Sequence, residues 1–329
     1  MFSRRRFMSY GAAGTLAMPA VLRSATAQGV DFPSGPMRTI CMFPPGSGAD
    51  VFVRFYANRL SQLSGKTVIV ENRPGAFGNI ATEAVARAKP DGSTIYIAPG
   101  SSVLAAAPSL FKKLNYDPIN DFDHVTTLAK LAFILTVPAS KPWKTVAELT
   151  AYLKQQGDKA SYGSIANTGL VSSELYKAQF GLQTVEVKYK DQGALLNDLI
   201  NGQLAFIHID PTTILGQIHQ GTARALAMGS AERMKSLPDI PGAREAGILN
   251  SDLIAWWSVH TPAKTPKPLL DKLEGWFNQI AAEPETVKFL ANNGSDPFPG
   301  NSTMLKELLL KDTKAWAGYV KLAKIDLLG

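Results

Sequence analysis

Two glycine-rich segments carry the residues of this sequence that could bind a small anion. The first, Pro44 to Asp50, follows the apolar run Thr39 to Phe43, and the second, Glu71 to Ile80, follows the run Lys66 to Val70. Backbone N–H groups at the start of a helix attract anions, and glycine allows a ligand to approach them closely. Neither segment has the Gly-Lys-Ser/Thr ending of a phosphate loop or the spaced glycines of a dinucleotide fingerprint. The pattern therefore indicates a small anion rather than a nucleotide, although either segment alone is equally consistent with an ordinary turn.

The residues around these loops are predicted to alternate between strand and helix. Val53, Tyr56 and Leu60 recur at three- and four-residue spacing, as expected on one face of a helix. A third strand is predicted over Thr94 to Ala98, and two serines follow it. Right-handed crossovers between parallel strands would bring the three loop ends to one edge of a sheet. The sequence thus predicts an α/β fold with an anion-binding crevice at that edge.

No constellation of catalytic or metal-binding residues is evident in the sequence. The four histidines, His124, His208, His219 and His260, are scattered without metal-ligand spacing. His208 lies inside an apolar run, which favours a core histidine. Cys41 is the single cysteine and sits in the first strand, so a buried, unreactive thiol is expected. We therefore predict a binding protein without a metal or cofactor, not an enzyme.

The motifs of the chain, taken in order, resemble those of a known family. The sequence resembles the tripartite tricarboxylate transporter solute-binding proteins, the TctC or Bug family. The matching segments are Phe43 to Asp50, Glu71 to Ile80, Lys89-Pro90-Asp91-Gly92, Tyr116 to Phe122, Leu237 to Pro241, Glu245-Ala246-Gly247 and Pro262 to Pro266.

The resemblance implies a fold and a function. The fold would be the type II periplasmic-binding-protein-like α/β fold, in which each of two lobes is a mostly parallel sheet flanked by helices and the ligand lies in the cleft between them. The function would be to capture a small organic carboxylate by lobe closure and deliver it to one large and one small integral membrane subunit. The expected protein is a periplasmic monomer that does not bind nucleic acid.

The length of 329 residues also predicts two lobes. The first lobe is predicted to be discontinuous, over 29–130 and 252–329, with the second lobe over 131–251. Two apolar stretches, one within Phe122 to Val137 and one within Leu253 to Val259, would cross between the lobes. The helices after Pro266 are expected to pack on the first lobe.

The amino terminus has the pattern of an export signal. Arg4, Arg5 and Arg6 precede an apolar, small-residue stretch, and Ala25-Thr26-Ala27 provides a cleavage site, so residues 1–27 are predicted to be a Tat-type signal peptide. Its removal would take away four arginines and no acids, which lowers the formal net charge from +7 to +3. The basic character of the chain is therefore no argument for nucleic acid.

The predicted ligand site combines loop ends from both lobes. Asp50 is included as the residue that holds its loop, because its charge would repel an anion. Trp256 is included because it could stack on a flat ligand, although core packing is at least as consistent with its apolar run. The full set is Pro45, Gly46, Ser47, Gly48, Asp50, Ala76, Phe77, Gly78, Asn79, Ser101 and Ser102 with Trp256 in the first lobe, and Ser164, Asn167, Thr168, Asp210 and Thr212 in the second.

Three segments depart from the family pattern. Phe77 stands where the family usually has a small residue, so it would roof the site or narrow it. The second-lobe loop Ser164 to Leu170 is shorter than in the family, with Leu170 near the usual histidine, and Tyr189-Lys190-Asp191 replaces Tyr-Lys-Gly. The ligand of a relative therefore cannot be transferred directly. Two alternatives stay open: a sensor that presents its closed form to a signalling protein, and a receptor for inorganic phosphate or sulfate.

Overall fold

The first of two β-sheets surrounds the predicted anion loops. The structure, a computed structural model, describes residues 32–328. The strands of this sheet are β1 (Met37–Cys41), β2 (Val68–Asn72), β3 (Thr94–Ala98), β4 (Phe122–Ala132), β10 (Ile254–Pro262) and β11 (Asp296–Pro297), in the spatial order β11-β4-β10-β3-β1-β2.

The second sheet repeats this arrangement with unrelated residues. Its strands are β5 (Ile134–Pro138), β6 (Ser161–Ser164), β7 (Val185–Lys188), β8 (Phe206–Ile209) and β9 (Ala223–Met228), in the order β7-β6-β8-β5-β9. In both sheets one strand, β10 or β5, runs antiparallel to its two neighbours. Beyond it, β4 of the first sheet and β9 of the second run parallel to the strands on its other side, and the two-residue β11 pairs antiparallel with β4, so four strands of each sheet share one direction. This confirms the prediction of two mostly parallel sheets.

The chain passes between the two sheets at β4–β5 and again through residues 229–253, after which the predicted return stretch forms part of β10. β4 belongs to the first sheet and ends at Ala132, and β5 begins two residues later in the second sheet. The chain returns to the first sheet through β10, which pairs with β3 and β4 along its length. Lobes built this way are joined by a few backbone segments, and such connections are where hinge closure occurs.

Helices cover both sheets. In the first lobe they are α1 (Gly48–Ser64), α2 (Asn79–Ala86), α3 (Ala107–Leu110), α8 (Lys267–Ala282), α9 (Pro284–Asn292) and α10 (Ser302–Leu322); in the second they are α4 (Val146–Gln156), α5 (Asn167–Phe180), α6 (Gln192–Ile200) and α7 (Pro211–His219). Leu273 and Phe277 of α8 and Leu309 and Trp316 of α10 are buried in the cores of the first lobe, so the carboxyl-terminal helices pack where expected. α4 begins with a capping box between Thr145 and Glu148.

Two further findings bear on function. No helix within residues 32–328 is long and apolar enough to cross a bilayer. The predicted signal peptide, residues 1–27, lies outside the described residues.

Candidate binding cleft between the lobes

The loop after β1 is held from beneath by a buried carboxylate. Asp50 Oδ2 accepts hydrogen bonds from the Gly46 N–H and from Arg54 Nε, both at 2.8 Å, and Oδ1 accepts from Asn72 Nδ2 at 2.7 Å. Asn72 Nδ2 also donates to the Phe43 carbonyl at 2.8 Å, which ties the loop to β2. Asp50 thus has the loop-holding role expected from the sequence. Asn72 was missed as its partner, although it belongs to the second matching motif.

The hydrogen bonds of Asp50 outweigh the cost of its burial. Burial raises the pKa of this carboxyl, but the bonds from Arg54, Asn72 and the Gly46 amide together hold the pKa below its usual value. Asp50 is therefore charged at neutral pH and accepts hydrogen bonds from its loop, from α1 and from β2. That charge organises the loop and is not available to a ligand.

The first loop leaves two backbone donors without a partner. The Gly46 N–H is bound to Asp50, and the hydroxyl of Ser47 donates to the Pro44 carbonyl while it accepts from the Asp50 N–H. The expectation that Gly46 and the Ser47 hydroxyl offer donors is therefore corrected, since both are engaged within the loop. Pro45 has no N–H. The N–H groups of Gly48 and Ala49, in the first turn of α1, have no acceptor within residues 32–328.

The second loop forms a left-handed turn. Ala76 and Phe77 have φ values of 46° and 52°, in a region that costs a non-glycine residue about 1–2 kcal/mol, and glycines flank them at 75 and 78. The N–H groups of Gly78 and Asn79 bond to the carbonyls of Gly75 and Ala76. Those of Ala76 and Phe77 have no acceptor among the described residues. Successive N–H groups in such a turn form an anion-binding concavity.

The remaining first-lobe candidates are mostly engaged in structure. Asn79 accepts a hydrogen bond from the Tyr116 hydroxyl at 2.8 Å, which anchors the start of α2. The buried Ser101 hydroxyl accepts a hydrogen bond from the backbone N–H of Trp256, and the Ser102 hydroxyl donates to the Pro99 carbonyl. The two serines therefore support the turn after β3.

Trp256 is a core residue, which corrects its expected stacking role. Its side chain is 1% exposed and lies among the buried residues of the first lobe. Its Nε1 donates to the Asp312 carboxylate at 2.5 Å, and the pKa of that carboxyl is raised by burial. No face of the ring is open to a ligand. Trp257 is also buried and stacks on Phe52 with centroids 4.2 Å apart.

In the second lobe, the start of α5 offers unpartnered polar groups. Asn167 and Thr168 are 8% and 4% exposed, yet neither side chain has a hydrogen-bond partner in the described part of the chain. Their polar atoms are not fully enclosed by the protein. Their N–H groups and that of Gly169 also lack an acceptor there. Buried polar side chains left in this state are typical of a ligand site. Ser164 instead donates to Glu186 at 2.5 Å.

The other second-lobe loop is capped by its own carboxylate. Asp210 accepts from the N–H and the hydroxyl of Thr213 at 3.0 and 2.8 Å, at the start of α7. Burial raises the pKa of Asp210, and the bonds from Thr213 oppose that shift. The Thr212 N–H has no acceptor within residues 32–328. Asp210 thus positions the loop, and Thr212 offers the donor.

Close contacts bring the loops of the two lobes together. A Cβ placed on Gly48 would lie 2.8 Å from the Thr212 methyl, so glycine is what allows this approach. A Cβ on Gly169 would lie 2.4 Å from the His208 carbonyl, which seats α5 against the end of β8. Ala166, just before α5, and Ala49, in the first turn of α1, pack against the same first-lobe core. The starts of α1, α5 and α7 therefore face one cleft.

Substitution of Gly48 by alanine is expected to weaken ligand binding about tenfold, because the new methyl would meet Thr212 and prevent full closure. Titration calorimetry with a carboxylate that binds the unmodified protein measures this. The double substitution Gly48→Ala with Thr212→Ser removes the opposing methyl and is expected to restore most of the affinity. Equal weakening in both variants would show that the approach of these two residues does not limit closure.

Other titratable groups lie outside the cleft. Cys41 is buried, and burial raises the pKa of its thiol to about 11, as expected for an unreactive cysteine. His208 is buried and its Nδ1 lies 2.9 Å from the Ser173 hydroxyl, which confirms its prediction as a core residue.

Cavities of about 420 and 230 Å³ lie elsewhere on the protein, beside Lys235 and Asn250, and include none of the predicted site residues.

Comparison with known proteins identifies the family of this chain. Residues 52–324 match the tripartite tricarboxylate transporter family receptor, TctC. A Rhodopseudomonas palustris protein solved with adipate is 28% identical, with 91% of this chain and all of that chain covered at a TM-score of 0.82. The periplasmic binding protein BugD is 27% identical, with 90% and 100% covered at 0.79. MatC of R. palustris, solved with malate, is 25% identical, with 88% and 100% covered at 0.77. The chain belongs to the TctC family of tripartite tricarboxylate transporter receptors, which are two-lobed periplasmic solute-binding proteins.

Proposed function

We propose that this protein captures a small organic carboxylate in the cleft between its lobes and delivers it to a tripartite tricarboxylate-type transporter in the membrane. The observation that carries the proposal is the set of backbone N–H groups that have no acceptor within residues 32–328, at the starts of α1, α5 and α7 and in the turn before α2. Residues 48, 49, 76 and 77 supply them from the first lobe, and residues 167, 168, 169 and 212 from the second. The relatives solved with adipate and malate add that carboxylates are ligands in this family.

Backbone donors suit this task because they are fixed before the ligand arrives. A hydrogen bond to a charged acceptor contributes about 1.5–3 kcal/mol, so two or three per carboxylate contribute about 3–9 kcal/mol before the entropy cost of association is subtracted. None of the residues that carry these donors is a lysine or an arginine, and Arg73, the basic residue of the second glycine segment, pairs with Glu71. The cleft can therefore attract a carboxylate without a permanent ion pair, which allows the ligand to be released.

Lobe closure is the step that couples binding to delivery. Ligand groups that contact donors on both lobes stabilise the closed arrangement, and the ligand shifts the equilibrium by its difference in affinity for the two states. Closure would bring the surfaces on either side of the cleft into the relative position that membrane subunits recognise. The proposed location is the periplasm, reached through the predicted Tat-type signal at residues 1–27.

A thermal-shift panel tests the binding step. The protein without residues 1–27 is heated with aliphatic monocarboxylates, dicarboxylates, aromatic carboxylates, phosphate and sulfate. A ligand at a hundred times its dissociation constant stabilises by about 2.7 kcal/mol, which raises the melting temperature of a protein of this size by about 4 °C. We expect a selective shift with one class of carboxylate. A shift with phosphate or sulfate alone, or none after removal of co-purified ligand by unfolding and refolding, would contradict the proposal.

The delivery step is tested separately in cells. Deletion of the gene is expected to abolish uptake of the radiolabelled carboxylate identified by the panel, and restoration of the gene is expected to recover it. Normal uptake in the deletion strain, together with confirmed binding by the purified protein, would favour the sensor alternative.

A further inference from the structure

Exposed apolar side chains border the proposed carboxylate donors of the first lobe. Val51 lies in the first turn of α1, and Phe77 and Ile80 lie at the start of α2; all three side chains are about half exposed. We call these three residues the apolar rim. Large apolar side chains that stay exposed beside a binding site indicate contact with a partner or ligand.

Phe77 is the member of the rim placed closest to the donors. Its own N–H is one of the two unpartnered groups of the second loop. A carboxylate oxygen at hydrogen-bond distance from that N–H, about 2.9 Å, lies within about 5 Å of the Phe77 Cβ. The first carbons of the ligand are therefore neighbours of this side chain.

The ring of Phe77 is only partly covered by the protein. Its side chain is 52% exposed, and its one aromatic neighbour in the described chain is Phe111, with centroids 6.1 Å apart at an angle of 56°. The backbone holds this residue at φ 52° and ψ 31°, a left-handed conformation that glycine would adopt without strain. An exposed aromatic ring in a strained backbone conformation is accounted for if the ring contacts the ligand.

Resting on the proposed function, we infer that the apolar rim selects a carboxylate whose carbon body is apolar over one that is hydroxylated. Hydrocarbon next to the carboxylate buries its surface against Phe77, whereas a hydroxyl at the same place loses its water and finds no acceptor on the ring. The Asn167 and Thr168 side chains, which have no hydrogen-bond partner among the described residues, would contact the distal part of the same ligand and could recognise neutral polar groups there. Alkyl and aromatic carboxylates are thus the expected class, and short hydroxy acids are not.

Two pairs of probes isolate this effect. Hexanoate and gluconate share a six-carbon chain, and phenylacetate and mandelate differ by one hydroxyl beside the carboxylate. Titration calorimetry is expected to give dissociation constants at least tenfold lower for the apolar member of whichever pair binds. Phe77→Gly removes the ring and also relieves the strain of the left-handed backbone conformation. It is expected to reduce the preference for the apolar probe about fivefold or more, while the dissociation constant of the hydroxylated probe changes little. Phe77→Asn, which tolerates the same backbone conformation, is expected to have a similar effect.

The control is Leu249→Ala, which removes an exposed leucine beside the smaller cavity, away from the cleft; its preference ratio is expected to match that of the unmodified protein. Carboxylate binding with no preference for the apolar probe, or with a preference unchanged in both Phe77 variants, overturns the inference and leaves the proposed function intact. Failure of every carboxylate to bind the unmodified protein overturns the proposed function and the inference with it.

Discussion

Replacement of Asp50 by alanine is expected to weaken carboxylate binding about 100-fold and to lower the free energy of unfolding by about 3 kcal/mol. The carboxylate of Asp50 is buried and holds the Gly46 N–H, Asn72 and Arg54 at 2.7–2.8 Å. Its loss leaves polar groups without partners, at about 1–3 kcal/mol for each group that stays buried. It also releases the loop that directs the Gly48 and Ala49 N–H groups. Loss of two charge-assisted bonds to a ligand corresponds to a factor of about 100.

Calorimetry for binding and urea unfolding for stability measure the two effects. Arg54→Gln is the matched control, because it removes the half-exposed partner of Asp50 and leaves the bonds to Gly46 and Asn72 in place. Its affinity is expected to stay within about threefold of the unmodified protein, as is usual for exposed ion pairs. Asp50→Asn serves if the alanine variant does not fold. Unchanged affinity in a folded Asp50→Ala protein would show that this loop does not position the ligand.

The alternation of strands and helices could be predicted from the sequence because its signals are local. The first loop and its helix follow from a short apolar run, a glycine turn and residues such as Tyr56 and Leu60 at helical spacing. The capping box at Thr145 fixed the start of α4. The crossing from the first sheet to the second was visible as two apolar runs within Phe122 to Val137, which the structure divides into β4 and β5. Each of these features depends on residues near one another in the chain.

The availability of each donor could not be predicted, because it depends on contacts between distant residues. Gly46 and the Ser47 hydroxyl were expected to face the ligand, but Asp50 and Pro44 engage them. Trp256 resembles a ligand-stacking residue in sequence, and only its contacts with Ser101 and with Asp312 on α10 identify it as core. The approach of Gly48 to Thr212 joins segments more than 160 residues apart, and no sequence spacing reports it.

The pairing of two histidines in the first lobe was equally invisible in the sequence. His124 and His260 lie on neighbouring strands, β4 and β10, with their Nδ1 atoms 2.9 Å apart. Nε2 of His260 lies 2.6 Å from the Ser258 hydroxyl. A hydrogen bond between the two Nδ1 atoms requires that one of them carries a proton and the other accepts it. Both rings are buried, so protonation of the acceptor would break this bond and place a positive charge in the core. Scattered positions in the chain thus conceal a coupled pair in the fold.

Acidification from pH 7 to pH 5 is expected to lower the free energy of unfolding by about 6 kcal/mol. Burial lowers the pKa of His124 to about 4 and that of His208 to about 3, and burial together with the nearby His124 lowers the pKa of His260 well below its usual value. In the unfolded chain all three titrate near 6.5. Their contribution to stability is complete above that pH and is lost as the pH falls, because the unfolded state binds protons that the folded state does not. Each histidine contributes about 2 kcal/mol over this interval.

Urea unfolding at pH 7 and pH 5 measures this difference in stability. His208→Gln removes one of the three titrating groups, and although it lowers stability at both pH values, it is expected to reduce the difference between them by about 2 kcal/mol. The control is His219→Gln, since His219 lies in the last turn of α7 outside the buried core, and its variant is expected to retain the full difference. A pH dependence unchanged in His208→Gln would mean that His208 takes up a proton as readily in the folded protein as in the unfolded chain. The second lobe would then accommodate a charged histidine at pH 5, against the burial that the structure shows.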